Sequence, residues 1–245
     1  MIIGSKKIFV DKLSSTNSQA AWLLRKGKVQ EGTVIQAGYQ TEGRGQAGNR
    51  WESEKGKNLL FSVIIFPHFV KADRQFAISR MISLGIKDYL QTLCSDIWIK
   101  WPNDIVVRND KIAGILIENA LVRNEIEHTI AGIGLNVNQV KFSTAAAGAT
   151  SLRIVTGKEH ALQASLDSLL AALDKRYRQL SVDRKALISQ DYMASLYRFD
   201  QWTEFRDGRG IFEGKIIAVT DTGRLQIEDR RGRIYEYEHK EVDFL

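Results

Sequence analysis

Four short segments bring together residue types that can handle a carboxylate and a phosphate at once. Gly43-Arg44-Gly45-Gln46-Ala47-Gly48, followed by Asn49-Arg50-Trp51, packs three glycines and two arginines into nine residues. Glycines let backbone N–H groups approach phosphate oxygens, and Arg44 offers a planar cationic fork that suits either anion. Trp51 can stack on a base or close over a ligand. The spacing satisfies GxGxxG, but the dinucleotide motif needs its third glycine inside an opening amphipathic helix, and residues 49–55 (NRWESEK) have no apolar helical face. Two readings remain, a mobile ligand-binding loop and a solvated surface loop.

Lys100-Trp101-Pro102-Asn103-Asp104 stands where the apolar run Ile97-Trp98-Ile99 ends. A lysine at the tip of a strand can hold a compact charge in a cleft, against a carboxylate and an α-phosphate together, which is what an acyl-adenylation transition state requires. The alternative is a surface pair of Lys100 with Asp104, with Pro102 merely ending the strand. In Ala131-Gly132-Ile133-Gly134-Leu135-Asn136-Val137-Asn138, two glycines interrupt a strand pattern at the same-face spacing. They clear one face for a ligand, or they mark a bulge or tight sheet packing. Ser15-Thr16-Asn17 is a helix cap by its residue types, a role compatible with ligand contact.

The elements that must position these segments are legible in the periodicity. Ile2 to Val10 reads as a strand, followed by a helix from the Ser14–Asn17 cap to about Lys26, closed by Gly27. Thr33 to Ala37 and Leu59 to Phe66 are strands flanking a long loop, and apolar residues from Phe76 to Leu93 recur near the helical period. Ile97 to Val107 (interrupted at Pro102), Lys111 to Val122 and Ile126 to Val137 are strand candidates. A loop over 141–150 precedes a helix carrying Leu162 to Leu180, and a shorter helix is expected over Lys185 to Tyr197. Short β runs from Trp202, with turns at Asp207-Gly208, Thr222-Gly223 and Arg231-Gly232, read as a small antiparallel barrel. This places a boundary near 199, with a domain over 1–198 and a second over 199–245.

The 245-residue chain is long enough for a sizeable core. It has no apolar run of roughly 18 residues and no signal-peptide pattern, so a soluble cytoplasmic protein without membrane contact is expected. One cysteine, Cys94, excludes an internal disulfide and reads as a structural thiol, and four scattered histidines make no metal motif. The net charge of +6 suits an anionic partner, but no helix-turn-helix unit, zinc-finger spacing or long basic block supports DNA binding.

Taken in order and spacing, these segments resemble the biotin–protein ligases over nearly the whole chain. The residues that carry the resemblance are Ser15-Thr16-Asn17, Tyr39-Gln40, the glycines, Arg44 and Trp51 of the 43–51 loop, KWPND at 100–104, KIAGILIE at 111–118 and GIGLNVN at 132–138. It implies an α+β fold: a central mixed β-sheet with helices packed on one side, plus a small C-terminal SH3-like β-barrel. It implies a biotin–(acetyl-CoA-carboxylase) ligase that uses ATP and Mg²⁺ to form biotinyl-5'-AMP and passes biotin to a lysine of a biotin carboxyl carrier domain, as a monomer or as a homodimer joined sheet to sheet along Lys111 to Val122 or Ile126 to Val137. Biotin would meet Ser15, Thr16, Asn17, Gln40, Arg44, Gly45, Gln46, Lys100, Gly114, Gly132 and Gly134. The adenylate would meet Arg44, Gly45, Gln46, Trp51, Lys100 and Asn136. Lys100 and Arg44 would be catalytic, and no metal would be held by the protein itself. Gln46 stands where many members have a second arginine and Asn49 where many have a basic residue; Gln46 and the backbone of Gly45 and Ala47 are expected to hold the loop closed instead. About a dozen residues precede Ser15, which implies a form lacking the DNA-binding domain of the repressor-type ligases. A lipoate or octanoate ligase or transferase of the same superfamily is the nearest alternative, although its RRxSGGG-type stretch is missing here; a non-catalytic biotin- or nucleotide-binding module is another.

Overall fold

A computed structural model describes residues 1–27, 29–182 and 185–245. Seven strands form the main sheet: β1 (Lys6–Leu13), β2 (Thr33–Gln40), β3 (Leu59–Ile65), β4 (Ile97–Lys100), β5 (Asp104–Val107), β6 (Asp110–Val122) and β7 (Glu125–Leu135). Their spatial order is β1-β2-β3-β7-β6-β5-β4, with β1 and β2 parallel and every other pair antiparallel. The sheet is therefore mixed, as expected. The apolar run of β3 is buried at every position, because that strand lies inside the sheet with both faces covered.

Strand alternation divides the buried residues between two layers. Val34, Leu59, Phe61, Val63, Ala131, Ile133 and Leu135 face a thick layer built from α2 (Phe76–Gln91), α4 (Leu162–Ser181) and α5 (Lys185–Ala194). A Cβ on Gly85 would lie 2.7 Å from Leu173 Cδ2 and 3.0 Å from Leu173 Cα, so the bare glycine lets α2 and α4 approach closely. Among the described helices, the short α1 (Thr16–Arg25) lies on the opposite face, where its Ala20 packs with Ile35, Ile64 and Ile130. That second face is left open beyond the end of α1, and the site lies there. Cys94 is half-buried, its thiol directed at the Leu90 carbonyl at 3.7 Å.

Three expectations need correction. The run from Ile97 to Val107 is not one strand: the chain reverses through Trp101–Asn103 and β4 pairs antiparallel with β5. A five-residue helix, α3 (Leu152–Thr156), follows the 141–150 loop; it is too short to show a period, but Ser151 caps it and Gly157 closes it at a φ of 71°. β7 is paired on both sides and offers no edge, whereas residues 116–122 of β6 pair only with β7 among the described residues.

Residues from Trp202 onward form a second, wholly antiparallel sheet of β8 (Trp202–Asp207), β9 (Gly210–Val219), β10 (Leu225–Asp229), β11 (Ile234–Tyr237) and β12 (Val242–Phe244), in the order β11-β10-β9-β8-β12. The three expected turns fall between its strands. By hydrogen bonding it is an open sheet, since β11 and β12 do not pair among the described residues. Its buried Phe205, Ile216, Val219, Leu225 and Ile227 are continuous with the main core.

The junction is held by a buried cation. Arg80 of α2 donates to the Val219 carbonyl at 2.6 Å, the Thr220 carbonyl at 3.0 Å and Asp221 at 2.9 Å, and its guanidinium lies over Phe76 and Tyr192. Trp101 Nε1 donates to the Gly223 carbonyl at 2.8 Å in the same β9–β10 turn. Removing Arg80 strands carbonyls that charge-assisted hydrogen bonds now satisfy, at about 3 kcal/mol. Thermal unfolding of Arg80→Ala should accordingly show a Tm lower by roughly 6–12 °C; an unchanged Tm would show that the two sheets dock without it.

Candidate active site

On the open face, β6 and β7 place Gly114 opposite Gly134, with Gly132 two residues further along β7. A Cβ on Gly134 would lie 2.3 Å from Trp51 Cε2, and one on Gly114 would lie 2.7 Å from Trp51 Cζ3. On Gly132 it would lie 2.3 Å from Asn17 Oδ1. The three glycines thus form a strip of bare backbone on which Asn17 and Trp51 rest.

At one end of the strip the N-terminus of α1 supplies polar groups. Ser15 is the N-cap residue by backbone conformation, yet its side chain makes no capping bond. The Thr16 N–H is taken instead by Gln40 Oε1 at 2.7 Å, which ties the helix to the end of β2. Ser62 Oγ lies 2.7 Å from Thr16 Oγ1 and 2.6 Å from Asn17 Oδ1, while Asn17 Nδ2 donates to Glu118 at 2.7 Å. Ser62 and Glu118 were not among the expected site residues. The available signal was a lone hydroxyl inside the apolar run LLFSVII and a carboxylate closing KIAGILIE.

At the other end the 43–51 loop folds back on itself. Gly45 N–H donates to the Asn49 carbonyl at 2.6 Å, Asn49 N–H to Gln46 at 3.2 Å and Trp51 N–H to Gly43 at 2.9 Å, with an antiparallel bridge between Arg44 and Arg50. A Cβ on Gly43 would lie 2.5 Å from the Trp51 carbonyl, so this crossing requires glycine. Arg44 reaches the Glu118 carboxylate at 3.2 Å. Gln46 Oε1 and Trp51 Nε1 are buried without a hydrogen-bond partner among the described residues, and such groups normally find one.

Two cavities meet at Trp51. The first, about 130 Å³, is lined by Ser15, Thr16, Asn17, Gln40, Arg44, Gly45, Gln46, Trp51 and the three glycines, together with Asp104, Lys111 and His239. The second, about 720 Å³, lies between the loop and residues 142–149 and is lined by Trp51, Asn136, Phe142 and Ala149 among others. Lys111 lines both, with Nζ 2.7 Å from Asp104 and 5.6 Å from the centre of the Trp51 ring. Asn136 is buried and donates to the Thr150 carbonyl at 3.0 Å, leaving Oδ1 without a partner among the described residues.

Lys100 is the expected site residue that the structure does not bring in. It lines neither cavity; its Nζ lies 5.3 Å from the ring centre of Phe244 and 5.9 Å from that of Tyr197. Burial lowers its pKa, Asp104 opposes that shift, and Arg198 and Lys111 add to it. The physical reason is the reversal after β4. The chain turns back at Trp101–Asn103, so Lys100 stays on the outermost strand beside β12 while Asp104 enters the site from β5. Lys111, three residues before Gly114 on β6, takes the position expected of Lys100.

The description "Biotin/lipoate A/B protein ligase family" matches residues 9–136. The bifunctional ligase/repressor BirA of Bacillus subtilis is 30% identical over 237 residues, spanning 94% of this chain and 72% of that protein. A biotin–(acetyl-CoA-carboxylase) ligase of Paracoccus denitrificans is 29% identical over 233 residues, spanning 91% of this chain and 90% of its own length. Among solved structures, the biotin protein ligase of Aquifex aeolicus in complex with biotin and ATP shares the fold at a TM-score of 0.80, with 24% identity over 98% of this chain and 99% of that one. The chain belongs to the biotin/lipoate A/B protein ligase family.

Proposed function

We propose that this protein is a biotin–protein ligase that joins biotin to AMP and passes the biotinyl group to a lysine of a biotin carboxyl carrier domain. The observation that carries the reading is Lys111, a cation standing where the small cavity over the glycine strip meets the larger one beside Asn136. The curated relatives are named for biotin ligation, and the Aquifex structure of the same fold holds biotin and ATP. Residues 1–198 would form the ligase domain and 199–245 the smaller one. The protein would act in the cytoplasm as a monomer or as a homodimer joined along the open part of β6, without DNA; no helix among the described residues is long and apolar enough to cross a membrane.

In this mechanism the ureido ring of biotin lies over the glycine strip, its polar edge meeting Ser15, Thr16, Asn17 and Gln40. A cavity of about 130 Å³ is small beside the roughly 300 Å³ typical of ligand pockets, so loading requires Trp51 to lift from Gly134 and Gly114. The carboxylate then reaches Lys111 and Arg44, beside Gly45 and Gln46. One carboxylate oxygen attacks the α-phosphorus of ATP and the bond to pyrophosphate breaks, while the two cations offset charge that grows in the transition state. Trp51 and Asn136 face the adenine. Each cation already has a carboxylate partner, Asp104 for Lys111 and Glu118 for Arg44, which holds it in place before the anions arrive. No group of three or more His, Cys, Asp or Glu side chains is placed to cage a cation among the described residues. Mg²⁺ would enter with the ATP phosphates.

Incubation with ATP, Mg²⁺ and either biotin, lipoate or octanoate, without an acceptor, should yield acyl-adenylate from biotin alone. Adenylate from lipoate or octanoate alone would move the protein to another branch of the family, and none from any acid would make it a binder. In the same assay Lys111→Ala should lower the rate by about 10²–10³-fold, the usual cost of one transition-state donor. Lys100→Ala should lower it by less than roughly tenfold, because a charge that lines neither cavity and makes no direct contact there is worth at most about 1 kcal/mol to the reaction; the reverse order would restore Lys100 as the catalytic lysine. Gly132→Ala should raise KM for biotin about tenfold or more, as the methyl group displaces an Asn17 already held by Ser62 and Glu118, with KM for ATP changing far less. Equal effects on both KM values would place Gly132 outside the acid site.

A further inference from the structure

We propose that His239 is the general base of the transfer step, taking a proton from the acceptor lysine where that side chain enters through the cleft between the two sheets. The inference rests on the ligase reading above. A third cavity, about 570 Å³, lies between Ile115 and Ile117 of β6 and the Gly223–Arg224 turn of the second sheet. It meets the acid cavity at Gln46, Asn103, Ile115 and His239, on a side that the nucleotide cavity does not reach. An acceptor side chain that must touch the acyl carbon while AMP fills the nucleotide cavity has this cleft as its approach.

His239 is set at that meeting point. It is half-buried, its ring stands edge-on to Trp101 with centroids 6.5 Å apart, and Trp101 is itself anchored to Gly223. Its Nε2 is buried and has no hydrogen-bond partner among the described residues. Burial lowers the imidazole pKa below its ordinary 6.5, Lys240 and Lys111 lower it further, and Asp104 opposes them. The ring is thus neutral at pH 7 and able to accept a proton. The other carboxylates nearby are engaged: Asp104 is held by Lys111 at 2.7 Å, and Glu236 and Glu238 at the cleft are paired with Arg224 at 3.7 and 2.8 Å.

The chemistry needs such a group. A lysine ammonium with a pKa near 10.4 is neutral roughly once in a few thousand molecules at pH 7. In the proposed step Nε2 takes one proton from the ammonium, with the ring hydrogen on Nδ1. The freed lone pair attacks the acyl carbon, the bond from that carbon to the phosphate oxygen breaks, and its electron pair leaves with AMP. The second proton of the attacking nitrogen passes to the departing phosphate, and the imidazolium returns its proton to solvent.

Single-turnover transfer from preformed biotinyl-adenylate to a purified biotin carboxyl carrier domain tests this in the full chain, alongside adenylate formation without acceptor. His239→Ala and His239→Gln should slow transfer by about 10²-fold, the usual range for a general base, and at least tenfold more than they slow adenylation. Wild-type transfer should be nearly flat from pH 7 to 9, whereas in both variants it should rise about tenfold per pH unit as the acceptor lysine deprotonates unaided. Added imidazole should restore transfer in His239→Ala. Variants that transfer at the wild-type rate and pH profile, or that lose transfer with a flat profile and no imidazole rescue, overturn the role of His239 and leave the ligase reading intact. A wild-type chain that forms no biotinyl-adenylate overturns both.

Discussion

The close approach of side chains to the bare backbone of β6 and β7 is the constraint on which the site depends. Asn17 and Trp51 come within 2.3 Å of where Cβ atoms would stand on Gly132 and Gly134, a distance that no other residue type permits without displacement. Those two contacts fix the start of α1 and the end of the 43–51 loop against the same strip, although the two segments are far apart in sequence. Ser62 and Glu118, from the strands on either side of β7, then hold Asn17 through both ends of its amide. The floor of the site is thus assembled on the sheet, with α1 and the 43–51 loop docked against it.

The same economy governs charge. Arg44 and Lys111 each rest on a carboxylate, at 3.2 and 2.7 Å, in half-exposed surroundings where such pairs contribute little to stability. In the proposed reaction their value would be in orientation: a cation already held at the cavity would need no reorganisation when a carboxylate and phosphate arrive. Arg80 is the contrasting case. Its side chain is 6% exposed and satisfied largely by backbone carbonyls, so it joins the second sheet to α2 as a structural clamp.

Through that clamp and the Trp101–Gly223 bond, the small sheet is more than an appendage. It brings His239 to the wall of the acid cavity and closes one side of the cleft at Gly223 and Arg224. Its core merges with that of the main sheet, and the Trp101–Gly223 bond joins the β9–β10 turn to the strand reversal that delivers Asp104.

The sequence by itself determined the elements with strong local period and the segments whose residue types are costly elsewhere. The helices over 76–91 and 162–181, the strands over 110–122 and 125–135, the glycine pair and the 43–51 loop are all legible, because amphipathic spacing and glycine placement are local properties. It also determined the identity of most cavity-lining residues, Ser15 to Asn17, Gln40, Arg44 to Gln46, Trp51 and the three glycines. Which lysine stands among them was decided by tertiary structure. Lys100 and Lys111 each stand in an apolar strand context beside a motif, and only the reversal at Trp101–Asn103 sends one to the edge beside β12 and leaves the other over the floor. Ser62, Glu118 and His239 were illegible for the same reason. A lone hydroxyl in LLFSVII and a carboxylate closing KIAGILIE are local oddities, but where these two and His239 stand is set by strand order, α1 docking and the placement of the second sheet, long-range packing that no local pattern encodes.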